Sequence, residues 1–289
     1  MAVFAQRFFE LASERSPLCL GLDPSGDLIR DWGLNDDAEG LRRFCDAVLD
    51  AAGDRIAVVK PQSGFFERLG PAGLTEMARA VARVREQGAL SIIDCKRGDV
   101  SGTMTGYAEA MLGPDGGFGG DAMTVTAYLG FDALRPVFDR AARYAAAVFV
   151  IVRSSNPEGR ALQDARHPDG RTVADALADD ITAYNAGLGS EIGPIGALIG
   201  ATVDKALAAT LERLPRSLIL SPGVGAQGAS MEDVRNNFGP AIHRTLPSVS
   251  RAILRHGPSP VLLREAIDRY RDEACRAVET ASTIAALQA

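Results

Sequence analysis

The 289-residue chain reads as an α/β protein, a closed (β/α)8 or TIM barrel, on three observations. Eight short apolar runs recur along it, helix-like stretches separate them, and its length suits one barrel of roughly 250 residues with some addition. The opening residues carry Arg7, Glu10 and Glu14 among apolar neighbours, which predicts an amphipathic helix rather than a signal peptide. Strands are expected at Leu18–Leu22, Ile56–Lys60, Leu90–Cys95, Ala122–Thr126, Ala147–Val152, Ile195–Ile199, Leu218–Ser221 and near Pro247–Ser250. Helices are expected at Leu41–Ala52, Gly73–Gln87, Thr103–Leu112, Ala133–Tyr144, Val173–Leu188, Val203–Leu214 and Met231–Asn236, with a long final helix over Pro260–Leu287.

No linker divides the chain, so residues 1–289 read as one barrel domain. The run from Gly113 to Gly120 is Gly-rich but short, and is expected as a tight helix-to-strand connection. Pro157 to Thr172 is a longer polar segment, expected to lie over the barrel mouth. The alternative is a doubly wound open sheet. Such a sheet usually carries G-x-G-x-x-G after its first strand, and Gly21-Leu22-Asp23-Pro24 is not that sequence.

Net charge of −6 and a pI near 5.2 argue against a nucleic-acid polymer as partner, whose surface normally needs a basic stripe. A small anionic metabolite needs only a few placed cations and is compatible with that balance. Cys19, Cys45, Cys95 and Cys275 form no C-x-x-C pair, so neither a zinc knuckle nor a disulfide framework is expected. Reduced thiols in a cytoplasm account for them. The apolar stretch Tyr144–Val152 is too short to span a bilayer, so no membrane partner is expected.

Asp94-Cys95-Lys96-Arg97-Gly98-Asp99 ends the third apolar run. Strand alternation turns Asp94 and Lys96 to one side and Cys95 to the other. Opposite charges on the inward side of a buried strand are costly unless they pair or act. Other strand ends supply Asp23, Lys60 and Ser154-Ser155-Asn156. After the seventh strand, the glycines of Ser221-Pro222-Gly223-Val224-Gly225-Ala226-Gln227-Gly228 allow backbone N–H groups to face an anion, with Gln227 able to reach over it. Arg251 follows the eighth, and a guanidinium matches phosphate oxygens bidentately. Each feature alone has a plain account: a snorkelling lysine, a turn-starting Asp-Pro, a helix cap. Their placement on one rim is what that account leaves unexplained, since barrel chemistry sits at strand C-termini.

These residues carry a resemblance to the orotidine 5′-phosphate decarboxylase family, in its longer bacterial branch. Asp94-x-Lys96-x-x-Asp99-x-x-x-Thr103 is similar to the family's active-site signature. The likeness extends to Gly21-Leu22-Asp23-Pro24, Lys60-Pro61-Gln62 with Phe65-Phe66-Glu67, Ser155-Asn156-Pro157, the Ser221–Gly228 loop and Ser250-Arg251. It implies decarboxylation of orotidine 5′-monophosphate to uridine 5′-monophosphate, the last step of pyrimidine synthesis, with no cofactor and no metal. Lys60, Asp94, Lys96 and Asp99 would form a charged network, Asp99 reaching into a partner subunit of a homodimer. Asp23, Lys60 and Thr103 would hold the ribose, Ser155 the pyrimidine edge, and Gln227 with Arg251 the phosphate. Ser250 stands where many members have Gly, and Ala229 where a further Gly is common.

Loss of CO2 from carbon 6 leaves an in-plane carbanion, and no motif suggests an electron-sink cofactor. An ammonium fixed beside that carbon, assigned to Lys96, can stabilise the charge and then donate a proton. Asp94 would adjoin the departing carboxylate. Related barrels with the same Asp-x-Lys-x-x-Asp array use Mg2+ on sugar phosphates, for which Glu67 is the one extra carboxylate at hand. A Schiff-base aldolase and a non-catalytic nucleotide sensor are the other readings.

Overall fold

The computed structural model describes residues 3–189, 191–202, 207–226 and 228–288, with side-chain surroundings through residue 281. Eight strands close into one parallel barrel in sequence order: β1 (Cys19–Leu22), β2 (Val58–Pro61), β3 (Leu90–Arg97), β4 (Ala122–Val125), β5 (Ala147–Arg153), β6 (Ile195–Ile199), β7 (Ile219–Pro222) and β8 (Thr245–Val249). The ring shuts where Cys19 and Leu20 pair with Ser248 and Val249. Helices connect successive strands, as parallel neighbours require.

Alternation along each strand sorts the apolar residues into two layers. Val58, Leu90, Ile92, Ala122, Phe149, Leu198, Leu220 and Leu246 fill the barrel interior. Val59, Ile93, Met123, Val150, Ile199 and Ile219 face outward into the layer shared with the helices. Phe4 and Phe8 of the N-terminal helix Phe4–Glu14 belong to the inner layer, the Phe4 ring lying edge-on to Phe149 at 6.0 Å. Each fully buried phenylalanine contributes about 1.5–3 kcal/mol. Arg7 clamps this helix to Asp121 at 2.9 Å. The end of the barrel at the strand N-termini is therefore plugged and apolar, which leaves the opposite rim for polar chemistry.

The expected strands occur in the expected order, with shifts at their ends. The eighth lies at Thr245–Val249 rather than Pro247–Ser250, because Pro247 sits within it opposite Ser221 and forgoes one ladder donor. Pro157 to Thr172 is not a plain loop. It holds a 3-10 turn (Pro157–Gly159), a short helix (Arg160–Gln163) and an antiparallel pairing of Arg166 with Thr172. The expected helix Val203–Leu214 is seen as Leu207–Glu212, residues 203–206 lying outside those described. Ala133–Tyr144 divides into a 3-10 turn (Asp132–Leu134) and the helix Arg135–Arg143. Short helices Gly26–Asp31, Ser63–Glu67 and Arg251–Leu254 follow β1, β2 and β8 directly and build the rim. The final helix Pro260–Gln288 packs outside the barrel against Ala38–Ala52. Among the described residues, no helix is long and apolar enough to cross a membrane.

Candidate active site at the barrel mouth

Inward alternation carries the apolar interior up to a charged layer. Above Val58 on β2 comes Lys60, above Ile92 on β3 comes Asp94, and above Ala122 on β4 comes Thr124. Lys60 and Asp94 are nearly sealed, their side chains 6% and 5% exposed, and the Lys60 Nζ donates to Asp94 Oδ2 at 2.7 Å. Lys96 Nζ donates to the other oxygen, Oδ1, at 2.6 Å, and its side chain remains 42% exposed at the mouth. One carboxylate thus holds two ammonium groups, one buried beneath it and one facing the cavity.

The protonation states follow from this arrangement. Burial works to raise the Asp94 pKa, but Lys60 and then Lys96 outweigh it and hold the carboxyl well below the usual range. Burial likewise disfavours the Lys60 ammonium, and the charges of Asp94 and Asp23 reverse that and raise its pKa. All the thiols on the strands are pushed up by burial, Cys19 to about 12 and Cys95 to about 11, so neither is a thiolate at neutral pH.

The path of β3 departs from simple alternation. Ile93 pairs with Met123, but the next pairing is Arg97 with Val125, so β3 bulges across Asp94–Lys96. Lys96 has a φ of 45°, a left-handed conformation uncommon for any residue but glycine, and such conformations cluster at functional sites. Asp94 and Lys96 do meet, through this bulge rather than through an extended strand.

A cavity of about 730 Å³ opens over the array, lined by Asp23, Gln62, Lys96, Arg251 and Arg255 among others. The Asp23 Oδ1 atom is buried without a hydrogen-bond partner, as expected for a group whose donor arrives with a ligand. Arg251 opens the helix after β8 and makes no ion pair among the described residues. Ser250 packs against Gly21, where a Cβ would stand 2.6 Å from the Ser250 Cβ, so glycine at 21 is what admits serine at 250. The loop after β7 is wound on itself: Gly225 N–H donates to Ala229 O at 2.7 Å and Gly228 N–H to Gly225 O at 3.0 Å. Those two amides do not form the expected anion cradle, because they close the turn. Gln227 lies outside the described residues.

Two further expectations land elsewhere. Asp99 is not joined to the array in this chain. Its Oδ1 accepts from the Val100 N–H at 2.7 Å, and Thr103 is exposed on the helix Ser101–Met111. Glu67 is engaged by Arg97 at 2.5 Å and by Ser63 at 2.7 Å. At the end of β5, Gln163 binds Ser154 twice, accepting from its N–H at 3.1 Å and donating to its hydroxyl at 2.8 Å. The neighbouring Ser155 hydroxyl makes no hydrogen bond among the described residues, and its backbone lies against Gly200, where a Cβ would come within 2.8 Å. Sequence reasoning missed Thr124 and Gln163. The parity of Thr124 with Ala122, in a strand next to Asp94, is the signal that could have found the first. Nothing in the sequence marks the second.

A closed β/α barrel with a preassembled lysine–aspartate–lysine array and two arginines, Arg251 and Arg255, lining its mouth defines an enzyme of an anionic substrate. The chain belongs to the orotidine 5′-phosphate decarboxylase / HUMPS family, whose model matches residues 16–266. It is 48% identical to an orotidine 5′-phosphate decarboxylase of Myxococcus xanthus over 92% of this chain and 93% of that protein. It is 44% identical to one of Streptomyces coelicolor over 96% and 99%. Among solved structures, a Streptomyces avermitilis protein described as a candidate orotidine 5′-phosphate decarboxylase superposes with a TM-score of 0.92 at 43% identity, covering 96% of this chain and 97% of that one. The Leishmania donovani OMP decarboxylase gives 0.76 at 29% identity, covering 93% and 98%.

Proposed function

We propose that residues 1–289 form one domain that decarboxylates orotidine 5′-monophosphate to uridine 5′-monophosphate at the Lys60–Asp94–Lys96 array. The observation that carries this reading is Asp94 holding both ammonium groups, with Lys96 turned to the cavity. The C6 carboxylate enters beside Asp94, where like charges repel until CO2 leaves. The C6–CO2 bond breaks, its electron pair stays on C6, and Lys96 stabilises that charge and delivers a proton to it. Lys60, kept charged beneath, holds Asp94 ionised so that the array needs no reorganisation during the reaction.

Phosphate binding by Arg251 anchors the far end of the substrate and orients the ring. Asp23 accepts from the ribose, which gives its buried oxygen a partner. Ser155 rather than Ser154 contacts the pyrimidine, since the Ser154 hydroxyl is already held by Gln163. Asp99 and Thr103 serve the site of a second copy. Their separation from their own array supports this, as do exposed Val100, Tyr128 and Leu129 on the adjoining loops. A cytoplasmic location fits four unpaired cysteines.

Lys60 is poorly suited to a Schiff-base reaction, which needs a neutral amine, whereas its environment favours the ammonium. The assay is direct: orotidine 5′-monophosphate absorbance is followed with the purified chain in chelator-treated buffer. Loss of absorbance with stoichiometric CO2 is expected. Turnover that appears only on adding Mg2+ would favour the sugar-phosphate chemistry instead.

A further inference from the structure

We propose that Thr124 is a positioning residue that sets the reactive geometry of Lys96 through its backbone. This rests on the decarboxylase reading above and adds to it a residue that never touches the substrate.

The bulge in β3 creates the need. Between the Ile93–Met123 and Arg97–Val125 pairings, β3 advances four residues while β4 advances two. The Lys96 N–H therefore has no ladder carbonyl opposite it, and a partly buried donor left so is unfavourable. Thr124, fully buried on β4, takes that place: its Oγ1 accepts from the Lys96 N–H at 3.0 Å. The same oxygen donates its proton to Asp94 Oδ1 at 2.8 Å.

The direction of both bonds is forced. An ionised carboxylate only accepts and an amide N–H only donates, so the hydroxyl has one orientation. Asp94 Oδ1 is thereby fixed between the Thr124 hydroxyl and the Lys96 ammonium. One side chain thus holds both ends of the Asp94–Lys96 pair, the carboxylate of one and the backbone of the other. The left-handed φ of 45° at Lys96 persists because the surrounding bonds determine it, and Thr124 supplies the bond at the residue itself. Without it the backbone is free to relax toward an extended form, which carries the ammonium away from the point where C6 must sit. A displacement near 1 Å costs about 100-fold in a positioned reaction.

Thr124→Val keeps the shape and removes both bonds. Thr124→Ser keeps both bonds and removes the methyl. Thr124→Ala removes everything, so the Ser–Ala pair isolates the hydroxyl even where valine is not tolerated. Each variant is compared with the unsubstituted chain for kcat, KM, affinity for the product uridine 5′-monophosphate, and melting temperature. The expected result is a kcat lowered about 100-fold in Thr124→Val and Thr124→Ala, with product affinity within a few-fold and Thr124→Ser close to the parent. Unchanged kcat in the hydroxyl-less variants, with only a lower melting temperature, would reduce Thr124 to a structural residue and overturn the proposal. Equal losses in Thr124→Ser and Thr124→Ala would overturn it too. An inactive unsubstituted chain would instead remove the decarboxylase reading and this role with it.

Discussion

Lys60 and Lys96 share one carboxylate, the first bound to Asp94 Oδ2 at 2.7 Å and the second to Oδ1 at 2.6 Å. The Lys60 side chain is 6% exposed, whereas that of Lys96 is 42% exposed and opens to the cavity. Two like residues are thereby given different tasks by burial alone.

Removing the shared carboxylate leaves Lys60 buried without its nearest counter-charge. Breaking a buried pair costs about 3–5 kcal/mol, and Asp94→Asn is expected to lose that much unfolding free energy at neutral pH. The Asp94 pKa is depressed on folding, so its stabilisation is complete above the unfolded value near 4 and is lost as pH falls through the folded value. The Lys60 pKa is raised, so its share is complete below about 10 and is lost only as pH rises through the folded value. Urea unfolding across pH should thus show the variant's deficit constant from about pH 5 to 9 and shrinking in acid. A deficit that grows in acid would contradict the assignment.

Arg251→Ala should raise the KM for orotidine 5′-monophosphate by about 10- to 100-fold, the worth of a charge-assisted bond to phosphate. Orotidine, which lacks the phosphate, should be affected little. Steady-state kinetics on both substrates decide this, and equal penalties would rule out Arg251 as the phosphate ligand.

Asp99→Ala should be inactive although its own Lys60–Asp94–Lys96 array is intact. If the chain forms the proposed dimer, mixing it with inactive Lys96→Ala lets subunits exchange, and each mixed dimer then has one complete site. Random pairing restores about a quarter of parental activity if the dimer is two-fold symmetric. No recovery after demonstrated subunit exchange would show that Asp99 does not serve a partner.

The eight strands were legible because inward and outward apolar residues give each a short continuous run, as in β5, where Ala147–Ile151 has no polar member. Lys60, Asp94 and Lys96 were legible because charges at the ends of such runs have few uses. The β3 bulge was not, since no glycine or proline marks Asp94–Lys96 and the left-handed residue is a lysine. Thr124 was hidden for a related reason: one threonine in a short buried strand is ordinary until its neighbour is seen to bulge. The self-closed turn after β7 was not legible, because glycine frees backbone amides without saying where they point.

Lys96→Ala tests the central claim most directly, measured as single-turnover decarboxylation beside uridine 5′-monophosphate binding and melting temperature. The account predicts no detectable CO2 release above the uncatalysed rate, from a folded chain that still binds product. Decarboxylation near the parental rate would contradict it, because the proton reaching C6 would then come from another group.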